Sequence, residues 1–224
     1  SNYEKNKITS AMWRNYGKTF IEYIFLDLFR KNNSHIIIEG KEYLENIIKN
    51  KKPVIFVSGH FANYELMSME ITKKGIPLAT IYRPLNNIFL NPLMEYLRRK
   101  YICKNQIKKG LNGVREAIEF IKKDMSIALM IDQRVSEGEK IDFFGKPALT
   151  TTLPAQLSIK YNLPIIPVFI ERAFENNFKI KFYKEIYSGD QDNKIVLTGK
   201  LNKVLEKMIV DNPNEWIWTH NRWK

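Results

Sequence analysis

A histidine and a glutamate five positions apart are the residues of this sequence best suited to chemistry. His60 follows an apolar segment, Val54–Ser58, that is typical of a buried strand, and Glu65 lies in a segment that we predict to be helical. Gly59 allows a sharp turn and the close approach of a ligand. A carboxylate that accepts a hydrogen bond from one imidazole nitrogen leaves the other nitrogen as a base. We therefore expect a His60 nitrogen within about 3.5 Å of a Glu65 carboxylate oxygen.

Two further strands are predicted to end in polar side chains. Arg83 and Asp132 each follow an apolar segment, and Arg134 lies just beyond Asp132. The carboxyl ends of parallel strands meet at one edge of a sheet, where the ligands of α/β proteins bind. We therefore expect these side chains to lie near His60 and to contribute a cation and an acid–cation pair. Alternatively, Asp132 and Arg134 form a buried ion pair that braces the sheet edge.

Apolar and amphipathic segments alternate along the chain. Strands are predicted at 35–38, 54–58, 78–82, 127–131, 165–170 and 178–183. Helices are predicted at 8–30, 61–74, 88–100, 111–123, 153–161 and 199–210, with a short one around Tyr43 and Ile47. This alternation is typical of an α/β fold. We predict a single domain, residues 1–224, with a central, largely parallel or mixed sheet flanked by helices.

The charge balance indicates acidic partners. The 36 Lys and Arg residues outnumber the 24 Asp and Glu residues, which gives a net charge of +12. Such a charge attracts nucleic acid, an anionic membrane or an acidic protein. A basic nucleic-acid-binding module is therefore an alternative, although the basic residues are scattered and accompany no RNP, zinc-finger or helix-turn-helix signature. Cys103 is the sole cysteine, so an internal disulfide and a cysteine-based zinc site are excluded.

The first 30 residues are predicted to form an amphipathic helix. Its apolar side chains recur at steps of four, from Ile8 and Met12 to Ile24 and Leu28. This helix packs on the domain core or, as an alternative, lies on a membrane surface. The sequence contains no apolar run long enough to span a bilayer. Because the chain begins with Ser1 and not with methionine, we expect that an N-terminal membrane anchor preceded this helix and was removed.

The spacing His60-x4-Glu65 resembles the H-x4-D/E signature of the glycerolipid acyltransferase superfamily. The surrounding residues are similar to its bacterial lipid A late-acyltransferase branch, of the lauroyl and myristoyl type. Further blocks in the same order resemble that family: Tyr82-Arg83-Pro84, Asp132-Gln133-Arg134, Phe143–Ala148 with Leu163–Pro167, and Glu215–Lys224. The resemblance covers roughly residues 20 to 224 and implies a glycerolipid-acyltransferase-like α/β fold.

The resemblance implies transfer of a fatty acyl group from a thioester on acyl carrier protein to a hydroxyl of a lipid A precursor or related glycolipid. His60 would deprotonate the hydroxyl, Glu65 would orient and charge-balance the imidazole, and the alkoxide would attack the thioester directly. Neither a cofactor, a metal nor a nucleic acid is implied. An acyl-CoA-dependent glycolipid or phospholipid acyltransferase would use the same two residues and is an alternative.

The resemblance also implies which residues bind substrate. Arg83 would bind a phosphate or stabilise the oxyanion, and Asp132 and Arg134 would shape the acceptor site. Asn63, inside the motif, would contact substrate or hydrogen-bond locally. Family members carry a longer N-terminal region with a membrane-spanning helix. This implies a location at the cytoplasmic face of the bacterial inner membrane, where basic charge favours an anionic membrane surface.

Overall fold

The structure is a computed structural model that describes residues 1–174 and 177–224. Within these ranges the strands are β1 (Ile36–Glu39), β2 (Ile55–Ser58), β3 (Leu78–Tyr82), β4 (Asn105–Lys108), β5 (Ser126–Met130), β6 (Glu139–Phe143), β7 (Lys146–Thr150), β8 (Ile165–Arg172) and β9 (Phe178–Phe182). The helices are α1 (Asn2–Glu22), α2 (Leu26–Lys31), α3 (Lys41–Asn50), α4 (Glu65–Lys73), α5 (Leu90–Leu97), α6 (Leu111–Ile121), α7 (Leu153–Tyr161) and α8 (Lys194–Asp211). A 3-10 turn (Tyr23–Phe25) separates α1 from α2, and a π-helical turn (Arg98–Ile102) continues α5.

Seven of these strands form one sheet, in the order β1-β9-β8-β2-β5-β3-β4. From β8 to β4, neighbouring strands run parallel. The strand β9 runs antiparallel to β8, and β1 runs parallel to β9. Strands β6 and β7 form a separate antiparallel hairpin. The prediction of an α/β fold with a central, mostly parallel sheet flanked by helices is therefore confirmed.

The register of the central strands determines which side chains meet at the sheet edge. All residues of β2 are buried, as expected for a parallel strand that is covered on both faces, and β2 lies between β8 and β5. In the β2–β5 pair, Ser58 lies opposite Met130. His60 and Asp132 each lie two residues beyond these partners, so they emerge side by side at the carboxyl edge of the sheet.

The segment that follows α8 is held against this carboxyl edge. Trp216 forms an antiparallel bridge with Phe61, next to His60. Further along, the guanidinium of Arg222 is buried and donates hydrogen bonds to two oxygen atoms of β7. A buried charge requires such partners, so these bonds fix the end of the chain to the hairpin.

Several helix and strand boundaries differ from the sequence-based predictions. The first helix begins at Asn2 and is interrupted at Tyr23–Phe25. The helix predicted at 61–74 begins only at Glu65, because Ala62 is left-handed (φ 41°) and donates its N–H to the carbonyl of Glu215. Strands β4, β6 and β7 were not predicted, since each carries exposed polar residues that weaken the apolar pattern. Of the helices within the described ranges, none has the length and apolar composition needed to cross a bilayer.

Candidate active site

A cleft of about 790 Å³ opens at the carboxyl edge of β2, β5 and β3. Of the predicted site residues, the structure brings His60, Glu65, Arg83 and Asp132 into its lining. Apolar side chains such as Leu129 form other parts of the wall. A concave site with apolar walls and a few convergent polar groups is typical of ligand binding.

Asp132 fixes the position of His60 in the cleft. Its Oδ1 lies 2.7 Å from the imidazole Nδ1, and its Oδ2 accepts a hydrogen bond from the backbone N–H of His60 at 2.8 Å. Oδ2 also accepts a hydrogen bond from Nε1 of Trp216 at 2.9 Å. The carboxylate assigns the proton to Nδ1 and therefore the lone pair to Nε2. Within the described residues Nε2 has no hydrogen-bond partner, and the side chain is 17% exposed.

His60 and Asp132 shift each other's pKa in opposite directions. Burial lowers the pKa of His60, but the charge of Asp132 and the hydrogen bond to it outweigh burial, so the pKa lies above its ordinary value. Burial raises the pKa of Asp132, but the charge of His60 and the hydrogen bonds from His60 and Trp216 outweigh it, so that pKa is lowered. His60 is therefore a stronger base than a free imidazole, and the carboxylate stabilises the imidazolium that forms.

Glu65 does not hold His60, so the predicted pairing of these two side chains is wrong. Within the described residues no hydrogen bond or ion pair joins them. Instead, Oε1 of Glu65 accepts hydrogen bonds from Nε of Arg98 at 2.8 Å and from the hydroxyl of Tyr23, and it lies 2.6 Å from Nη2 of Arg98. Arg98 is buried, and the charge of its guanidinium is compensated there by the Glu65 carboxylate. The non-helical loop 61–64 separates Glu65 from His60.

Glu65 nevertheless acts on the cleft through its charge. Both Glu65 and Arg98 line the cleft, and the charge of Glu65 is a weaker influence than Asp132 among those that raise the pKa of His60. Burial, followed by the charge of Glu65, raises the pKa of Tyr23, which stays protonated and donates. Burial lowers the pKa of Arg98, but Glu65 outweighs it and the pKa is raised. The Glu65–Arg98 ion pair, to which the Tyr23 hydroxyl donates a hydrogen bond, is therefore charged and lies in the cleft that contains His60.

Two cations face the cleft near the end of β3. Arg83 and Lys109 both line it, and Lys109 is placed there by the hydrogen bond from its N–H to the carbonyl of Tyr82. The carboxylate of Glu95 binds Tyr82 and Lys108. Glu137 also lines the cleft and its charge acts on Lys109, but within the described residues neither Arg83 nor Lys109 has a hydrogen-bonded side-chain partner. Burial, followed by the charge of Arg83, lowers the pKa of Lys109. Neighbouring cations without partners favour an anionic ligand.

Asn63 lies outside the cleft lining and hydrogen-bonds locally, and its contact with substrate stays a prediction. Its side chain is completely buried, and Nδ2 donates to Oε2 of Glu22 in α1 at 2.9 Å. The left-handed turn at Ala62 directs Asn63 toward α1 and away from the cleft. Its role in this structure is to attach the loop after His60 to the first helix.

Arg134 also lies outside the cleft lining, and its contact with substrate likewise stays a prediction. Its backbone N–H donates to Nε2 of His220 at 3.0 Å, and its side-chain Nε is buried without a partner within the described residues. The alternative of an ion pair with Asp132 is also wrong, because His60 and Trp216 occupy both oxygens of that carboxylate.

The cleft lining also contains residues that were not predicted to be site residues: Tyr64, Lys109, Trp216 and His220. The ring of Tyr64 packs edge-on against His60, with 4.6 Å between ring centroids. Burial lowers the pKa of His220, which accepts its hydrogen bond as a neutral imidazole. The C-terminal aromatic cluster was a visible signal for Trp216. No spacing signal distinguishes Tyr64 from an ordinary core residue.

Two bacterial acyltransferases are similar to this chain in sequence, and one solved acyltransferase structure superposes on it. Lipid A biosynthesis acyltransferase 2 of Shigella flexneri is 22% identical over 193 residues, which cover 84% of this chain and 60% of that protein. Lipid A biosynthesis palmitoleoyltransferase of Escherichia coli (strain K12) is 25% identical over 196 residues, which cover 84% and 61%. The chain therefore spans about 60% of the length of these relatives. The 1-acyl-sn-glycerophosphate (LPA) acyltransferase PlsC from Thermotoga maritima superposes with a TM-score of 0.49 and 14% identity, over 93% of this chain and 89% of that chain.

One sequence family matches the whole chain. Its profile, described as "Bacterial lipid A biosynthesis acyltransferase", spans residues 1–224. The resemblance indicated by the His60-x4-Glu65 motif and the blocks that follow it is thereby confirmed. On this match, the chain belongs to the bacterial lipid A biosynthesis acyltransferase family.

Proposed function

We propose that this chain is an O-acyltransferase that transfers a fatty acyl group from a thioester to a hydroxyl of a lipid A precursor or related glycolipid. The observation that carries the proposal is the hydrogen-bonded His60–Asp132 pair, which lines a cleft of about 790 Å³ and leaves Nε2 without a partner. Family membership supports it, and the E. coli relative is named a lipid A palmitoleoyltransferase. We also propose that residues 1–224 act as a single acyltransferase domain.

His60 is the general base of the proposed reaction. Its Nε2 takes the proton of the acceptor hydroxyl while the oxygen forms a bond to the thioester carbonyl carbon, whose carbonyl electron pair moves to oxygen. The tetrahedral intermediate collapses, the C–S bond breaks, and the departing thiolate takes the proton from the imidazolium. Asp132 holds Nδ1–H and stabilises the imidazolium between these steps. The mechanism requires no nucleophile from the protein.

Glu65 supports the base without touching it. Its negative charge favours the imidazolium of His60, and its bonds to Arg98 and Tyr23 keep the adjacent cleft wall rigid. The orienting role that the motif suggests for Glu65 belongs instead to Asp132. Glu65 is therefore a positioning residue in this mechanism.

Arg83 and Lys109 are proposed to bind the anionic part of the reactants. A phosphate of the acceptor satisfies both cations at once, and the planar guanidinium of Arg83 offers two parallel donors to it. The same side chains are available to stabilise the oxyanion of the tetrahedral intermediate. Both roles are consistent with their place in the lining of the cleft that holds His60.

Acyl carrier protein is the proposed donor, and the cytoplasmic face of the bacterial inner membrane the proposed location. A net charge of +12 favours an acidic carrier protein and an anionic membrane surface. Acyl-CoA is the alternative donor, because its thioester and phosphates satisfy the same groups. Nucleic acid is not a proposed partner, since Arg83 and Lys109 lie in the cleft that contains the base.

Acyl transfer by variants of His60 and His35, two of the three histidines, tests this function. Wild type, His60→Ala and the control His35→Ala, which lies outside the cleft, receive acyl groups on carrier protein and on CoA with a lipid A precursor. Mass spectrometry of the lipid identifies the product. We expect the control to retain activity and His60→Ala to lose about 10³-fold or more, since general bases contribute up to about 10⁴-fold. Activity in His60→Ala with unchanged melting temperature would refute the mechanism.

A further inference from the structure

One face of α5 and the turn before it exposes large apolar side chains to solvent. Ile88 and Phe89 are 76% and 84% exposed, and Leu90, Leu93 and Tyr96 are also exposed. We call these five residues the α5 apolar face. A contiguous patch of exposed apolar side chains is typical of a surface that binds a protein or a membrane.

The α5 apolar face is held rigidly and is not a frayed end. Met94 and Leu97, each about one helical turn from Leu90 or Leu93, are partly buried and pack against the core. The side-chain oxygen of Asn87 accepts hydrogen bonds from the N–H groups of Phe89 and Leu90, which fixes the turn at the start of the helix. The fold therefore presents these apolar side chains outward at a defined position.

The α5 apolar face lies next to the cleft. Pro84, Leu85 and Asn86 line the cleft, and Asn87 connects them to Ile88. Leu111, at the start of α6, also lines the cleft and is 87% exposed. An apolar surface therefore continues from the cleft lining to the side chains at the tip of the turn.

The segment that contains the α5 apolar face is rich in basic residues. Between residues 83 and 111 the chain carries seven Lys and Arg residues and one acidic residue, Glu95. Arg98 is buried against Glu65, whereas Arg99, Lys100, Lys104 and Lys108 are exposed. Apolar side chains bordered by exposed cations are typical of segments that lie in the interface of an anionic membrane.

We propose that the α5 apolar face inserts into the interface of an anionic lipid bilayer and so places the cleft at the membrane surface. Side chains as exposed as Ile88 and Phe89 project from the protein, and a bilayer accommodates projecting groups of any shape. A folded acidic protein would need a complementary groove. The proposal adds a membrane contact to the proposed function and rests on it only for the choice of a lipid partner, because vesicle binding does not require acyl transfer.

Vesicle binding by a polar double variant tests the proposal. Phe89→Asn/Leu93→Asn removes apolar area without changing charge, and neither residue lines the cleft. Val196→Asn/Val210→Asn makes the matched change on exposed residues of α8. With vesicles of phosphatidylcholine and phosphatidylglycerol, we expect the α5 variant to bind about tenfold or more weakly than wild type, since two large apolar side chains no longer enter the lipid. The α8 variant should bind as wild type does, and both should retain transfer to detergent-dispersed acceptor.

A site-specific probe keeps the test independent of folding and of activity. Because Cys103 is buried, Phe89→Cys and the control Val210→Cys each offer one accessible thiol for a polarity-sensitive dye. We expect the dye at position 89, and not at 210, to shift to shorter wavelength on anionic vesicles. Unchanged vesicle binding by the α5 variant, or no shift at position 89, would overturn the proposal. So would loss of binding to acidic carrier protein alone, which would make the face a protein interface.

Discussion

Two carboxylates of the cleft, those of Asp132 and Glu65, have different roles. Asp132 is close to His60 in space, and Glu65 is close to it in sequence. Asp132 follows the end of the neighbouring strand β5 and contacts the imidazole of His60. Its second carboxylate oxygen accepts a hydrogen bond from Trp216. Glu65 comes from the same motif as His60 but binds Arg98 and Tyr23. Glu65, the acid of the motif that contains His60, is therefore not the orienting partner of the imidazole. Strand register selects the partner that touches the base, and the motif glutamate stabilises the wall beside it.

The largest expected effect is on turnover when Asp132 loses its charge. Asp132→Asn keeps the shape of the side chain but removes the carboxylate that fixes the Nδ1–H tautomer and stabilises the imidazolium. In a His–Asp pair of this kind the loss is about 10³- to 10⁴-fold in kcat. Steady-state kinetics and circular dichroism of the purified variant measure the loss and check the fold. A variant within about tenfold of wild type would show that Asp132 does not orient the base.

The pH dependence of the remaining activity sharpens the same comparison. The base must be neutral, so kcat rises as pH increases through the pKa of His60, which lies above 6.5 in wild type. Removing the charge of Asp132 lowers that pKa, so the acidic limb of the profile moves to lower pH in Asp132→Asn. Profiles of kcat against pH for wild type and variant show the shift. An acidic limb at the same pH in Asp132→Asn would show that Asp132 does not act on the group that titrates.

The next effect is on stability, and it concerns Glu65. Glu65→Gln leaves the buried guanidinium of Arg98 without its carboxylate, and breaking a buried ion pair in this way costs about 3 kcal/mol or more. Urea unfolding should show this loss, whereas Glu65→Gln/Arg98→Met should recover most of it. The folded variant should lose much less kcat than Asp132→Asn. Equal kcat losses with unchanged stability would reverse the roles of the two carboxylates.

The smallest effect is expected at Trp216. Trp216→Phe removes the hydrogen bond that the indole N–H donates to the Asp132 carboxylate. It leaves both charges of the His60–Asp132 pair, so the orientation of the pair weakens and its charge does not change. We expect kcat to fall about tenfold, because a hydrogen bond to a charged group contributes about 1.5 kcal/mol or more and each ~1.4 kcal/mol is a factor of ten. KM should change little. The acidic limb should not move to lower pH, in contrast to Asp132→Asn. Activity equal to wild type would mean that the C-terminal segment does not position the pair.

Much of the fold was predictable because its central strands are apolar along their length. Strands such as β2 and β3 match their predictions closely, whereas β4 and the β6–β7 hairpin lie at an edge or outside the main sheet and lack that pattern. The rule that polar residues gather at strand ends found His60, Arg83 and Asp132. It could not find which carboxylate meets the imidazole, since that depends on the pairing of Ser58 with Met130.

Residues that reach the cleft from distant parts of the chain were the hardest to predict. Trp216 contacts Asp132 across 84 positions, and Lys109 enters through a strand that the sequence pattern did not reveal. Asn63 was predicted to face substrate because it lies inside the motif, but the left-handed Ala62 turns it toward α1. Local spacing does not encode a backbone turn of this kind.

The pKa of His60, measured by NMR titration of the imidazole, tests the central claim most directly. The signal is assigned by its loss in His60→Ala and followed in wild type, Asp132→Asn and Glu65→Gln. If Asp132 is the partner of the base, the pKa lies above 6.5 in wild type, falls furthest in Asp132→Asn and falls less in Glu65→Gln, whose charge acts from further away. A pKa that stays unchanged in Asp132→Asn and drops in Glu65→Gln would contradict the account, because it would make Glu65 the orienting acid.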